Sequence, residues 1–470
     1  MSVSTATRRC FLGSLALAVV ATPLAACGPS ATASPTAQSG AAPAAQPTTA
    51  TQPATQAQPT VPPQPTTAPA AGAKVPLSIA VRSDALFTWQ TDAAKQFEQD
   101  HPNVSLTITQ VNYNDMAKKQ LAMLASGTMP DVIFSGAKWF SYSADKGAFL
   151  AIDDLVKSGS LGLDDFFKDA VASCKLDGKL YGLPYTLNTG NTNIIYYNKD
   201  LLAAKSLKEP TDDWTMDQFV GLATSLTDAP KHVYGTSLLP DSYYDLDTWA
   251  RSLGGEILSA DAKQFTLTTN PETKAAARWV TELRTKHHAA VSRADSQGIG
   301  FPAGQVALYC DATYDVGGIG KTIGNRFKWD VVLAPVGPGG LRGFEIFVSM
   351  FSLSAKTQHP TEAFDLLSAE LSPKTALHAF VAQGLPPARP SIWQSADAAK
   401  ISPIFGRVSK WLADGKDQGP FPMPDNLRFS ELQDKFQNLI DQVFYGEVDF
   451  DSGLQNVQDA CQKIVSLPRG

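Results

Sequence analysis

Hydrophobic residues alternate with polar ones over residues 75–81 and again over 104–108, which is the two-residue period of a β-strand. Between these segments Ala93, Ala94 and Phe97 share one face at helical spacing. A strand, a helix and a second strand in this order are typical of a parallel sheet covered by helices. The pattern therefore predicts an α/β fold.

A second unit of the same kind follows. Asn114 is a candidate N-cap and Gly127 a candidate C-cap, and Ala117, Leu121 and Leu124 form the apolar stripe of a helix between them. A short apolar strand comes next, so the strand and helix order repeats. This repetition favours a largely parallel sheet.

Residues 75–470 exceed the size at which a single hydrophobic core usually divides, so two lobes are expected. Hydrophobic residues make up 43% of the chain and charged residues 18%, as in ordinary globular proteins. The formal net charge is −6. Because a nucleic-acid partner requires a basic surface, no nucleic acid is expected to bind.

The start of the chain carries a targeting pattern. Arg8 and Arg9 precede an apolar run that ends at Ala26, which predicts a secretory signal peptide over residues 1–26. The arginine pair fits a twin-arginine (Tat) signal and an ordinary Sec signal about equally well. Either route exports the chain.

The sequence Leu-Ala-Ala-Cys at 24–27 resembles a bacterial lipobox, which implies a lipid on Cys27 and anchorage at the outer face of the cell membrane. A plain cleavage site before a cysteine is the alternative. Residues 27–74 consist almost wholly of small, polar and proline residues, which predicts a disordered tether.

Three further cysteines, Cys174, Cys310 and Cys461, are far apart and lack a CxxC spacing. Neither a zinc site nor a disulfide framework is therefore expected, and each cysteine is expected to be a small buried residue. No metal and no cofactor are predicted.

Short sequence landmarks occur in a fixed order along residues 75–470. They lie at 97–102, 126–133, 177–184, 197–201, 214–219, 254–255, 301–308, 354–364 and 384–386. The residues at these places and their order resemble family 1 of the extracellular solute-binding proteins, the group that includes maltose-binding protein.

The resemblance implies a periplasmic-binding-protein fold, in which two α/β lobes are joined by a multi-segment hinge and hold a ligand in the cleft between them. We expect the chain to cross between the lobes near 184–193, 333–346 and 383–390. The lobes are then expected to comprise 75–187 with 343–385, and 193–335 with 390–470.

The resemblance also implies a function. The chain would be the substrate-binding subunit of an ABC importer, would capture a mono- or oligosaccharide by lobe closure, and would deliver it to the transmembrane permease subunits. It would perform no catalysis and would act as a monomer.

Ligand sites in open α/β folds lie beyond the carboxyl ends of the strands, so the loops there supply the candidate residues. Sugars present apolar faces edged by hydroxyls, which calls for aromatic platforms and planar polar side chains. On these grounds and by the resemblance, the predicted ligand-binding residues are Asp84, Trp89, Ser135, Trp139, Asn188, Asn191, Tyr244, Asp311, Tyr314, Phe344, Glu345 and Arg389.

Several of these residues also have a structural interpretation. Asp84 is a candidate helix N-cap, Trp139 a candidate buried side chain beneath its loop, and Asn188 part of an ordinary hinge turn. Tyr314 stands where many relatives carry a tryptophan, and this departure weakens the assignment of a sugar as the ligand.

Two other functions stay open at this point. The same fold could carry a polyamine, an anion or iron, and the tyrosine pairs at 196–197 and 243–244 superficially fit an iron carrier. A secreted glycosidase would need a carboxylate pair such as those at 153–154 or 164–165, which the pattern favours as helix starts.

Overall fold

A computed structural model describes residues 74–159, 161–190, 192–238, 243–295, 299–414, 421–422 and 426–467. The predicted signal peptide, Cys27 and the predicted tether up to residue 73 lie outside these residues, and so does Asn191. By its contacts the chain divides into residues 1–67 and 68–470, and all features below belong to the second unit. Within the described residues, no helix has the length and apolar character needed to cross a membrane.

The strands of the described residues are β1 Val75–Arg82, β2 Val104–Val111, β3 Val132–Gly136, β4 Lys175–Leu176, β5 Lys179–Leu180, β6 Leu183–Thr189, β7 Ile194–Asn198, β8 Tyr234–Thr236, β9 Val306–Asp311, β10 Trp329–Leu333, β11 Glu345–Leu353 and β12 Phe421–Pro422. Short 3-10 helices lie at Ala85–Phe87, Ala229–Lys231, Phe301–Ala303 and Thr313–Asp315.

The α-helices of the same residues are α1 Thr88–Asp100, α2 Tyr113–Ser126, α3 Ala137–Asp145, α4 Asp153–Ser158, α5 Lys168–Ala172, α6 Lys199–Ala204, α7 Met216–Leu226, α8 Tyr243–Ser252, α9 Pro271–Thr285, α10 Val316–Ile323, α11 Pro360–Glu370, α12 Pro373–Gln383, α13 Pro390–Trp393, α14 Ala396–Ile401, α15 Ile404–Asp414, α16 Phe429–Phe444 and α17 Phe450–Val465.

The first sheet is built around β1, which pairs in parallel with β2 on one side and β3 on the other. The parallel strands that the alternating pattern predicts are therefore confirmed. β11 runs antiparallel to β3 and also to β6, and β12 pairs with the start of β11. The carboxyl ends of β1, β2 and β3 consequently open toward one edge of the sheet.

The second sheet has the order β10, β7, β9, β8. β7 is antiparallel to both β9 and β10, and β8 is parallel to β9. All five residues of β7 are buried because the two faces of the strand pack into different cores. Ile194 and Tyr196 join the core that extends to the first sheet, whereas Ile195 and Tyr197 join the core beneath α7, α8 and α9.

Along the chain, β6 of the first sheet is followed by β7 of the second sheet, and β10 of the second sheet is followed by β11 of the first. A third passage is predicted near 383–390. Beyond it, Trp393 and Phe405 pack with Phe380 of α12 in the first core. Arg407 of α15 donates to Asp212 and to the Val331 carbonyl of β10, so this segment contacts both sheets.

Helix α2 differs in detail from its predicted form. Its side-chain N-cap is Asn112, whose oxygen accepts the Asn114 amide, and Gly127 at φ +71° is the C-cap, as predicted. Leu121 was expected in the buried stripe but is 38% exposed. The buried residues of this helix are Met116 and Gln120, with Ala117 and Leu124 partly buried beside them, so Leu121 lies at the solvent edge of the buried face.

Candidate functional site

A central cavity of about 370 Å³ lies where the first and second sheets face each other. The first-sheet side contributes the ends and loops of β1, β2, β3, β6 and β11, and the other side contributes α8 and the 3-10 helix Thr313–Asp315. Its lining residues are Arg82, Phe87, Tyr113, Lys138, Thr186, Asn188, Thr189, Gly190, Tyr244, Tyr314, Glu345, Phe347, Ser349 and Leu385.

Arg82 at the end of β1 is held in a fixed position on this wall. Its guanidinium carbon lies 3.5 Å from the centre of the Phe87 ring and 4.4 Å from that of Tyr113. Its Nε donates to Asp84 at 3.0 Å, and Asp84 also accepts from the Asn112 amide at 3.4 Å. Aromatic faces and a carboxylate therefore fix the plane of the guanidinium.

The start of β11 places three lining side chains on one face of the strand. Glu345, Phe347 and Ser349 follow each other at every second position and point into the cavity. Phe344, one residue earlier, is fully buried and its ring lies 4.1 Å from that of Trp411, away from the cavity. The two-residue period of the strand thus separates Phe344 from Glu345.

Glu345 is a buried carboxyl with unusual surroundings. The side chain is 2% exposed, and its Oε2 has no hydrogen-bond partner among the described residues. Burial, with the nearby charges of Asp247 and Asp245, raises the pKa of Glu345 well above its ordinary value, against the opposing effect of Arg251 and Lys138. A ligand group that donates hydrogen bonds would satisfy this oxygen.

Tyr244 and Lys138 face each other across the cavity. The Lys138 Nζ lies 5.4 Å from the centre of the Tyr244 ring, and the Tyr244 hydroxyl donates to Gln433 of α16 at 3.1 Å. Ser430 of α16 donates to the Lys138 carbonyl at 3.0 Å. Burial lowers the pKa of Lys138. Helix α3 is thereby linked directly to α8 and α16 on the opposite side.

Tyr314 is the most exposed aromatic residue of the site, with 39% of its surface accessible. Asp311 beneath it is 6% exposed and accepts the Ala312 amide at 2.7 Å. Burial raises the pKa of Asp311 to about 7, and the neighbouring Asp315 adds to this effect. Asp311 consequently supports the ring of Tyr314 and does not line the cavity itself.

Four of the predicted ligand-binding residues line the central cavity, namely Asn188, Tyr244, Tyr314 and Glu345. The Asn188 Oδ1 is buried and has no hydrogen-bond partner within the described part of the chain. Phe344 and Glu345 are neighbours in sequence and both were predicted to bind the ligand. Only Glu345 lines the cavity, because neighbouring side chains of an extended segment point to opposite faces.

Trp89 and Arg389 lie elsewhere, and this corrects their predicted role. Both line a separate enclosed space of about 10 Å³ behind β6. The Trp89 ring packs 5.9 Å from that of Tyr185, and Arg389 donates to the Leu371 carbonyl at 2.6 Å. Their polar groups are turned toward the first core, so they do not reach the central cavity.

Asp84, Ser135 and Trp139 lie behind the lining residues. Asp84 makes no side-chain cap bond to the following helix and instead pairs with Arg82. Trp139 is 8% exposed and donates to Gln120 at 3.1 Å. Ser135 is fully buried in β3, so all three residues could act on a ligand only through a neighbour.

Sequence reasoning missed Arg82, Phe87, Tyr113, Lys138 and Phe347 as lining residues. Arg82 ends β1 two residues before the selected Asp84, and Lys138 directly precedes the selected Trp139 at the start of α3. Tyr113 begins the helix after β2, so it also lies beyond the carboxyl end of a strand, where ligand sites are expected. Because side chains alternate along β11, Phe347 lies on the same face as Glu345 and could have been predicted from it.

The residues of the alternative functions lie outside the cavity, with Tyr244 as the exception. Tyr196 donates to the Ala312 carbonyl at 2.8 Å and Tyr197 donates to Glu209 at 2.9 Å. Asp153 accepts the Leu180 amide at 3.1 Å. Asp165 accepts from Ser391 and Arg389. In the part of the chain that the structure describes, no group of three His, Cys, Asp or Glu residues is placed to hold a metal ion.

Comparison with known proteins gives a consistent picture. Residues 86–376 match the model of the family described as bacterial extracellular solute-binding protein. A binding protein of Brucella abortus (strain 2308) is 25% identical over 307 residues, which are 63% of this chain and 72% of that protein. The galactooligosaccharide-binding protein of Bacillus subtilis (strain 168) is 28% identical over 126 residues, 26% of this chain and 27% of that protein.

Solved structures with the same fold cover nearly the whole folded part. An ABC substrate-binding protein of Listeria monocytogenes in complex with cycloalternan has a TM-score of 0.72 at 23% identity and covers 83% of this chain and 98% of its own. The sugar-binding protein MalE of Xanthomonas citri has a TM-score of 0.71 at 17% identity, with coverages of 83% and 98%. These likenesses confirm the predicted fold class.

Proposed function

Because the chain belongs to the bacterial extracellular solute-binding proteins, we propose that it captures a saccharide and delivers it to the permease of an ABC importer. The observation that carries this proposal is the central cavity, where aromatic rings and planar polar groups converge from both sides. Such a site recognises a solute by shape and hydrogen bonding and needs no chemical step.

The lining residues suit a sugar. Tyr113, Tyr244 and Tyr314 offer ring faces for the apolar faces of a pyranose, and Phe347 adds a further apolar surface. Between the rings, the Asn188 amide and the Glu345 carboxyl present buried oxygens that accept hydrogen bonds from hydroxyls. Buried acceptors without partners favour a ligand that is rich in donors.

The relatives support the same ligand class by what they bind. The Listeria monocytogenes protein was solved with cycloalternan, and the Bacillus subtilis protein is named for galactooligosaccharides. The cavity of about 370 Å³ is near the small end of the usual range for ligand pockets. A mono- or disaccharide therefore suits this conformation better than a long oligosaccharide.

Export and anchoring belong to the same proposal. We infer that residues 1–26 are removed after export, that Cys27 carries a lipid, and that the uncharged stretch to residue 74 tethers the binding domain above the membrane. A tether of this composition stays extended, so the domain can reach both free solute and the permease. The protein would act as a monomer whose lobes close over the ligand.

The direct test of ligand class measures thermal stability with and without sugars. A ligand that binds only the folded state raises the melting temperature, so at least one member of a panel of mono- and disaccharides is expected to do so. Isothermal titration then gives the affinity. If no sugar raises the melting temperature while another class of metabolite does, the saccharide assignment is wrong.

A matched pair of variants locates the binding site. Tyr314→Ala removes an exposed ring of the cavity, and we expect it to weaken sugar binding by roughly tenfold or more. Tyr142→Ala removes a partly buried tyrosine of α3 that does not line the cavity and should leave affinity unchanged. Equal affinities for the two variants would place the ligand elsewhere.

A further inference from the structure

Several carboxyl groups lie behind the lining residues Glu345 and Tyr314 of the central cavity. Asp245 and Asp247 of α8 act electrostatically on Glu345. Asp311 and Asp315 act in the same way on Tyr314. Carboxylates gathered at a buried position repel each other unless positive charge compensates them.

Two basic groups, Arg251 and Lys138, lie near Glu345 and act against the effect of burial and of the two aspartates on its pKa. Arg251 donates to Asp247 at 2.9 Å, so its charge is engaged by that carboxylate. Lys138 also faces Glu345, and burial lowers its own pKa. Even with both cations acting on it, the pKa of Glu345 stays well above its ordinary value.

Glu345 itself is directed at the cavity and is held there. The carboxyl is 98% buried, its Oε2 has no hydrogen-bond partner among the described residues, and it lines the cavity. A Cβ on Gly190 would lie 3.0 Å from Oε2, so the hinge backbone packs tightly against the carboxyl. The amide of Gly190 donates to the Glu345 carbonyl at 2.9 Å and fixes the start of β11.

We propose that the ligand of the central cavity carries an amino group and that Glu345 binds it. This inference rests on the proposed saccharide binding and narrows the ligand to an amino sugar. An ammonium group would donate to Oε2 and would form an ion pair with the carboxylate. The hydrogen bond between a carboxylate and an ammonium is stronger than one between neutral groups.

The rest of the cavity is compatible with a cation. Tyr244 and Tyr314 present ring faces near these carboxyl groups, and such faces attract ammonium groups. Lys138 already lies 5.4 Å from the Tyr244 ring, which shows that this place accommodates a positive charge. The second basic lining residue, Arg82, is paired with Asp84, so its charge does not call for an acidic sugar.

Matched sugars test the proposal on the exported domain, residues 74–470, which contains the folded unit. The probes are D-glucosamine, D-glucose and N-acetyl-D-glucosamine, together with their β-1,4-linked disaccharides. At pH 7 we expect the amino form to bind roughly tenfold more tightly than the hydroxyl and acetamido forms. Because an ammonium favours ionised Glu345, titration in buffers of different ionisation enthalpy should show proton release for the amino form alone.

A variant separates the carboxyl from its surroundings. Glu345→Gln keeps the size and removes the charge, so the preference for the amino form should fall to about onefold and the proton release should disappear. Glu370→Gln makes the same chemical change at another fully buried position outside the central cavity. It should retain the preference for the amino form and the proton release.

The outcomes distinguish this inference from the broader proposal. If neutral sugars bind as tightly as amino sugars, the proposal that the ligand carries an amino group is refuted and the saccharide function stands. If spermidine binds and no sugar does, the saccharide function is refuted while recognition of an amine stands. If neither sugars nor spermidine bind, both are refuted.

Discussion

Glu370 at the end of α11 is a fully buried carboxyl, 1% exposed, and neither of its oxygens has a hydrogen-bond partner among the described residues. Burial alone raises its pKa well above the ordinary value. The folded state therefore holds the neutral acid, whereas the unfolded chain ionises at the normal pKa of a glutamate. Glu370→Gln replaces the neutral acid with a neutral amide of the same shape.

The sign of the pH effect follows from this difference. A carboxyl whose pKa is raised by folding contributes its full stability below the unfolded-state pKa and loses it as the pH rises toward the folded-state pKa. Across that window the loss is about 1.4 kcal/mol per pH unit. As the pH rises above the unfolded-state pKa, the free energy of unfolding of the wild type should therefore fall relative to that of Glu370→Gln.

Urea unfolding at half-unit pH intervals from pH 5 to pH 7, followed by fluorescence, measures this difference. Glu362→Gln, at a partly buried position of the same helix, serves as the control and should reproduce the wild-type slope. Parallel profiles for wild type and Glu370→Gln would refute a neutral buried acid at this position.

Three further substitutions test other parts of the structure. Gly235→Ala would place a Cβ 1.9 Å from the Ala223 carbonyl oxygen, so it should lower the free energy of unfolding by about 2 to 3 kcal/mol in urea melts. Phe351→Ala removes a fully buried ring from the first core and should cost about 3 to 5 kcal/mol by the same measurement. Arg82→Lys loses the planar group held by Phe87 and Asp84, so sugar affinity by titration should fall severalfold while the melting temperature changes little.

Controls for these substitutions come from the same chain. Gly221 lies in α7 with open space where a Cβ would be added, so Gly221→Ala should stabilise by about 0.5 to 1 kcal/mol. Arg326→Lys changes an arginine that bonds only carbonyls of its own segment, among the contacts described, and should leave sugar affinity unchanged. A Gly235→Ala protein as stable as the wild type, or equal losses of affinity for the two arginine variants, would contradict the reasoning.

The order of strands and helices could be predicted from hydrophobic period and from short landmarks, because those signals are local. It was harder to predict which face of each helix or strand is buried. Leu121 has the spacing of a buried stripe, yet the face of α2 that meets the core is centred on Met116 and Gln120, which leaves Leu121 exposed. Likewise, Phe344 and Glu345 are adjacent in sequence, but Phe344 is buried in the core and Glu345 faces the cavity.

The candidate site depended on tertiary packing that the sequence does not display. Trp89 and Arg389 have the chemistry of sugar-binding residues, but the packing around β6 turns them toward the first core. Arg82 becomes part of the wall because Phe87 and Tyr113, which follow different strands, meet around its guanidinium.

The position of β11 constrains when the first lobe can form during synthesis. This strand, Glu345–Leu353, joins β3 to β6, so neither has its β11 partner until the chain has been made beyond residue 353. Pairings of such long sequence separation form slowly and leave strand edges exposed meanwhile. A nascent chain therefore cannot join β3 to β6 through β11 until about three quarters of the protein exists.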